Sequence, residues 1–65
     1  MRDPDELLTP KELADYLRIS ESSLRRWRME GRGPAVTWLS ARRARYRWLD
    51  VQKWLARSGR KPGGG

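Results

Sequence analysis

Two helix-start signals lie eleven residues apart near the beginning of this chain, and their closeness limits the folds that it can adopt. The first is the capping box Thr9-Pro10-Lys11-Glu12, in which the side chain of each end residue can accept a hydrogen bond from the backbone amide of the other. Pro10 takes the first helical position, where a missing N–H is tolerated. The second signal is Ser20, a preferred N-cap residue. Two helices that start so close together predict a tight helical hairpin or a helix-turn-helix.

The apolar residues of the first helix indicate its buried face and its end. Leu8 precedes the cap and Leu13 takes the fourth helical position, so the two can form a hydrophobic staple. Leu13, Ala14 and Leu17 form an apolar stripe, and we expect the helix to end at Leu17 or Arg18.

The second helix has one apolar and one polar face. We expect it to run from Glu21 to about Glu30, because Gly31 follows and glycine commonly ends a helix. Leu24 and Trp27 share the face that packs on the core. The residues broadly opposite them are Ser22, Arg25, Arg26 and Met29.

Beyond Pro34 the pattern changes from helical to extended. Residues 35–39 and 44–48 are rich in β-branched and aromatic side chains, which predicts a two-stranded hairpin. Residues 40–43 form its loop, which contains two arginines.

A third helix is predicted to follow the hairpin. Asp50 suits the start of a helix, because its negative charge interacts favourably with the helix dipole. Val51, Trp54 and Leu55 form the apolar stripe of this helix, and Gly59 should end it. We therefore expect one folded domain over residues 7–57, a flexible acidic leader over 1–6 and a flexible basic tail over 58–65. The expected core consists of Leu13, Leu17, Leu24, Trp27, Tyr46, Val51, Trp54 and Leu55.

The charge of the chain is strongly positive and unevenly distributed. Its 65 residues include 15 lysines and arginines against 8 acidic residues, a net charge of +7. Residues 1–21 hold three basic and six acidic residues, net −3, so residues 22–65 carry +10. Twelve of the basic residues are arginines, whose planar guanidinium matches phosphate groups and guanine edges. This composition predicts a polyanionic partner.

Several classes of function are excluded or disfavoured. The chain contains no cysteine and no histidine, which removes disulfides, thiol nucleophiles, zinc fingers and imidazole catalysis. Glu30 and Asp50 are the only carboxylates in residues 22–65, and each has a structural role near a helix end. We therefore expect a protein that is not an enzyme and that binds no metal, cofactor or small-molecule ligand. No apolar run approaches the roughly 20 residues of a membrane-spanning helix, so we expect a soluble, cytoplasmic protein.

Six segments carry a family resemblance in their order and spacing. They are LTPKELA (8–14), IS (19–20), SLRRW (23–27), GRGP (31–34), RYR (45–47) and DVQKWL (50–55). Together they resemble the excisionase family of MerR-like winged helix-turn-helix DNA-binding domains. This family includes phage excisionases, also called recombination directionality factors, and short regulators of the AlpA type.

The resemblance implies a mainly α fold with a small β-hairpin wing, in which the second helix enters the major groove of DNA and the wing follows a minor groove or its phosphates. Matched residue by residue, it assigns Ser22, Ser23, Arg25 and Arg26 to the recognition helix and Arg42, Arg43 and Arg45 to the wing. Either Arg25 or Arg26 could bridge O6 and N7 of guanine, and the sequence does not choose between them. Further phosphate contacts, ranked lower, are Arg28, Arg32 and Arg47, and Arg47 could equally pair with an acidic side chain such as Asp50.

Two biological roles fit this resemblance. The first is a phage excisionase in a bacterial host, which bends double-stranded DNA near attachment sites and directs a phage integrase toward excision. Further copies would bind head to tail, because one module of this size has modest specificity. The alternative is a small transcriptional regulator of the AlpA or MerR-like type that binds a promoter. A third hypothesis, of another class, is a protein-interaction module whose basic face docks an acidic partner.

Four tryptophans also raise the hypothesis of single-strand binding by base stacking. Trp27 and Trp54 lie on apolar helix stripes, however, which favours core packing. Tyr46 and Trp48 alternate in phase along the second strand, and we expect both to face inward. The role of Trp38 stays open, although an exposed Trp38 would favour a protein contact over base stacking.

Overall fold

The computed structural model describes residues 2–58, which fold into three helices and a small antiparallel sheet. The elements in chain order are β1 (Leu7–Leu8), α1 (Pro10–Leu17), α2 (Glu21–Met29), β2 (Thr37–Ser40), β3 (Arg43–Arg47) and α3 (Trp48–Ser58). This is the predicted winged helix-turn-helix, with the β2–β3 hairpin as the wing. The predicted stop at Gly59 and the basic tail beyond Ser58 lie outside the described residues.

The caps that the sequence predicts are present at the starts of α1 and α2. The Thr9 hydroxyl accepts a hydrogen bond from the Glu12 amide at 3.1 Å, and the Glu12 carboxylate accepts one from the Thr9 amide at 2.9 Å. The Ser20 hydroxyl accepts a hydrogen bond from the Ser23 amide at 3.0 Å. Between the helices, Arg18 adopts a left-handed backbone with φ of 61° and ends α1. The predicted helix-turn-helix is therefore confirmed.

The sheet has three strands, one more than the sequence predicts. β1 pairs with β3, with Leu7 opposite Arg47 and Leu8 opposite Tyr46, so that β3 is the central strand. β1 has only two residues, which is too short to show an alternating pattern.

Backbone carbonyls of the segment before β1, within the predicted leader, accept hydrogen bonds from the start of α3. The Glu6 carbonyl accepts a hydrogen bond from the Trp48 amide at 2.8 Å, and the Pro4 carbonyl accepts one from the Leu49 amide at 3.0 Å. These bonds satisfy two of the backbone donors that every helix leaves without a partner at its start. The carbonyls of Pro4 and Glu6 thus cap the start of α3.

α3 begins at Trp48, two residues before the predicted start at Asp50. Trp48 is therefore the first residue of a helix and not a strand residue, but it packs on the core, so the expectation that it faces inward is confirmed. Its backbone is helical, and its half-buried ring meets the Tyr16 ring edge to face, with 5.1 Å between the centroids. The cause is tertiary, because the partners of the first α3 amides are residues 4 and 6.

The loop of the wing is shorter than the sequence predicts, and one strand contains a bulge. Thr37 lies opposite Arg45, Trp38 opposite Ala44 and Ser40 opposite Arg43, so that Leu39 is an extra residue in a β-bulge. The loop is shortened from the predicted residues 40–43 to residues 41–42.

The core lies between α1, α2, the sheet and α3. Of the predicted core residues, Leu13, Leu24, Tyr46 and Val51 are at most 1% exposed. Leu17, Trp27 and Leu55 are partly buried and pack on this cluster, and Trp54 is half-buried beside Trp27, with 5.8 Å between the ring centroids. Leu8, Ala14 and Ala44, which are not among the expected core residues, are also buried. Within residues 2–58 no helix has the length and apolar character needed to cross a bilayer.

Candidate nucleic-acid interface

The face of α2 that points away from the core is polar and exposed. Leu24 is 1% exposed and fixes the orientation of the helix on the core. Ser22, Arg25 and Arg26 are all exposed on the opposite side, as the helical periodicity predicts. Met29 lies at the edge of this face and is 75% exposed.

Ser23 is less exposed than the other residues predicted for the recognition helix. It is half-buried, and its amide donates a hydrogen bond to the Ser20 hydroxyl. Its own hydroxyl accepts a hydrogen bond from the Ser20 hydroxyl at 3.1 Å. The contacts of Ser23 therefore belong to the cap that starts α2, while Ser22 remains on the exposed face.

An open groove of about 530 Å³ separates α2 from the wing. From α2 it is lined by Glu21, Ser22, Arg25 and Arg28, and from the wing by Trp38 and Arg42. The helix-turn-helix and the wing thus present arginines to one continuous surface. We call this surface the α2–wing groove.

The predicted wing arginines divide between two surfaces. In β3, Ala44 and Tyr46 are buried, so Arg43 and Arg45 lie on the outer face of the sheet because successive side chains alternate. Arg43 is exposed, whereas Arg45 is half-buried and donates a hydrogen bond to the Ala44 carbonyl at 2.8 Å. Arg42, in the loop, is the wing arginine that lines the α2–wing groove.

Two of the lower-ranked arginines have acidic partners. Arg32 pairs with Glu30 at 3.1 Å, in the loop after α2. Arg47 lies 3.6 Å from the Asp50 carboxylate and 3.8 Å from the Asp5 carboxylate. Neither arginine lines the α2–wing groove. Their positive charges are partly compensated within the domain, and the Arg47 to Asp50 pair is the one that the sequence suggests.

Arg28 has a different environment. Its guanidinium donates a hydrogen bond to the Tyr46 hydroxyl at 3.4 Å and lies over the Trp38 ring, 5.6 Å from the centroid. Arg28 of α2 is therefore in contact with both strands of the wing. The sequence carried one signal for this placement, since Arg28 follows Arg25 by three residues and so shares a side of the helix with it.

Trp38 is the groove residue whose position the sequence left open. It is 52% exposed and lies opposite the small, buried Ala44, on the face of the hairpin that looks toward α2. Strand alternation alone could not reveal this placement, because the Leu39 bulge interrupts the period of the strand.

The comparison with known protein families agrees with this geometry. The model of a helix-turn-helix domain family matches residues 7–59, a range that spans β1, both helices of the helix-turn-helix, the wing and α3. No curated protein and no solved structure matches the chain. The fold, the exposed arginine face of α2 and this match lead to one conclusion: the chain belongs to the helix-turn-helix domain family, a family of DNA-binding domains that includes excisionase-like proteins.

Proposed function

We propose that this protein is a non-enzymatic excisionase, which binds specific sites in double-stranded DNA, bends the DNA and directs an integrase toward excision. The observation that carries the proposal is the α2–wing groove, which is lined by Ser22 and Arg25 of α2 and by Arg42 of the wing. The excisionase role itself is supported by the family resemblance of the sequence and by the presence of excisionase-like proteins in the matching family.

The dimensions of α2 suit the major groove. An α-helix with its side chains is about 10–12 Å in diameter, and the major groove of B-DNA is about 12 Å wide. With Leu24 on the core, Arg25 and Arg26 face outward and can reach base edges, where an arginine can donate two hydrogen bonds to O6 and N7 of guanine. The wing would then follow the backbone or the adjacent minor groove through Arg42 and Arg43.

The carboxylates of the basic part of the chain support a role without catalysis. Glu30 pairs with Arg32 at 3.1 Å, and Asp50 lies in the first turn of α3, 3.6 Å from Arg47. Both acidic groups therefore have structural partners, which is not the arrangement of an acid–base pair at a reaction centre.

Binding in several copies follows from the size of the interface. One module of this kind buries about 600 to 1,000 Å² of protein surface on DNA, which gives modest specificity. Adjacent copies bound head to tail, or an integrase bound beside them, would raise the effective concentration and the specificity without further base contacts. DNA bending would bring such neighbours together.

The proposal is tested first on DNA. A footprint over the DNA that flanks the gene for this protein should show short, adjacent protected sites, and circularly permuted fragments of these sites should migrate as bent DNA. Neutralising about six phosphates predicts a slope near −5 for log affinity against log salt. A flat salt response would contradict DNA binding and favour the docking of an acidic protein.

The biological role is tested in a deletion strain. Excision of the integrated element should stop in the deletion strain and return with the wild-type protein or with Arg57→Ala, but not with Arg25→Ala combined with Arg26→Ala. Arg57→Ala is the control for a charge lost elsewhere, because Arg57 is an exposed arginine of α3 that does not line the α2–wing groove. Normal excision in the deletion strain, together with a changed promoter output, would instead identify a transcriptional regulator.

A further inference from the structure

Arg28 differs from Arg32 and Arg47 in the charge of its neighbours. Its two partners, the Tyr46 hydroxyl and the Trp38 ring, carry no charge. No carboxylate of residues 2–58 forms an ion pair with it, although Glu21 lines another part of the same groove. Arg28 is therefore a half-buried cation whose charge is not compensated by an ion pair in this part of the chain.

The geometry of these neighbours restrains the guanidinium. One Nη1 donor is used by the Tyr46 hydroxyl at 3.4 Å, and one face lies over the Trp38 ring. A guanidinium has five N–H donors in a fixed plane, so further donors remain for a ligand in the α2–wing groove. A restrained arginine loses less conformational freedom on binding than a solvated one.

Trp38 has an unusual position for a large apolar residue. It is 52% exposed, yet its ring contacts a cation of the recognition helix across the groove. A cation over the face of an indole is attracted by the ring quadrupole. At an exposed site this attraction changes an equilibrium constant by about threefold. The contact therefore joins the wing to α2 at the point where both face the groove.

We propose that Arg28 binds a DNA backbone phosphate where α2 meets the wing, and that Trp38 and Tyr46 are positioning residues that act through it. The inference rests on the proposed DNA binding and adds a role for Trp38 other than a protein contact or base stacking. An anionic phosphodiester is the ligand that the uncompensated charge and the remaining donors of Arg28 fit.

The test measures the affinity of the wild-type protein and of each variant for two duplexes of equal length. One duplex contains a footprinted site and the other is unrelated. Arg28→Ala should weaken binding to both by about tenfold and lower the magnitude of the salt slope by about 1. Trp38→Ala should weaken binding by about threefold, and Trp38→Phe should restore most of that loss because a phenyl ring also attracts a guanidinium. Leu39→Ala is the matched control, since Leu39 is the next residue and is also 52% exposed.

The double variant decides whether Trp38 acts through Arg28. If it does, Arg28→Ala combined with Trp38→Ala should bind about as well as Arg28→Ala alone. A combined loss of about thirtyfold would show that Trp38 contributes independently, by contacting DNA or by holding the wing, and would overturn the positioning role. Thermal unfolding of each variant identifies any loss that comes from the fold.

The outcomes separate this inference from the proposed function. If the wild-type chain binds neither duplex, the proposed function fails. If the wild-type chain binds with a steep salt slope and Arg28→Ala binds equally well with the same slope, only the inference fails.

Discussion

Leu8 lies opposite Tyr46 in the antiparallel pairing of β1 with β3, and both side chains are at most 1% exposed. This pair connects the segment before α1 to the central strand of the sheet. Leu8 also precedes the Thr9 cap, so the same residue anchors the start of α1.

We predict that Leu8→Ala lowers the free energy of unfolding by about 2 to 5 kcal/mol, because it removes a fully buried side chain from the core. Such a loss would unfold much of so small a domain. The neighbouring Leu7→Ala is the control, since Leu7 is 40% exposed and should change stability by about 0.5 kcal/mol or less. Urea unfolding followed by circular dichroism measures both values, and equal losses would contradict the burial of Leu8.

Arg26→Ala should reduce the affinity for a footprinted site by about 1 to 3 kcal/mol and relax the preference for that site, if Arg26 donates to guanine. Arg25 and Arg26 are both exposed, so Arg25→Ala is measured in parallel. Binding to a panel of single-base variants of the site distinguishes the two. An equal loss on every sequence would make the substituted arginine a phosphate contact.

Replacing Arg42 and Arg43 together by alanine should weaken binding to all duplexes and lower the magnitude of the salt slope by about 2, because both are exposed at the wing tip. The slope is measured by titrating salt at constant pH with a fluorescent duplex. An unaltered slope would show that the wing does not contact DNA. Arg57→Ala serves again as the control for a lost charge outside the groove.

Glu21→Gln should tighten binding to all duplexes, because Glu21 places a carboxylate in the groove that Arg25, Arg28 and Arg42 line. The same substitution should lower the free energy of unfolding by about 0.3 to 1 kcal/mol, since Glu21 lies in the first turn of α2 and interacts favourably with the helix dipole. Affinity and stability are thus expected to change in opposite directions. Weaker binding of a folded variant would argue against a phosphate near the start of α2.

The parts of the fold that the sequence predicts are those that local interactions specify. The caps at Thr9 and Ser20 join residues three positions apart, and the apolar stripe of α2 follows the helical period. The same period places Ser22, Arg25 and Arg26 on the side of α2 away from the core. The β-branched and aromatic side chains of residues 35–39 and 44–48 predicted the hairpin, although not the length of its loop.

Tertiary structure decided the features whose partners lie far apart in the sequence. β1 forms because residues 7 and 8 find Arg47 and Tyr46, and α3 starts at Trp48 because its first amides find carbonyls of residues 4 and 6. The Arg28 contact with Trp38 likewise depends on the packing of the wing beside α2. The amino-acid sequence by itself thus determined the helix-turn-helix, the hairpin and the exposed arginine face, because their hydrogen bonds and periodicity are local. Only the tertiary structure decided which arginines share a groove, because that depends on pairings between distant residues, which leave no periodic signal in the sequence.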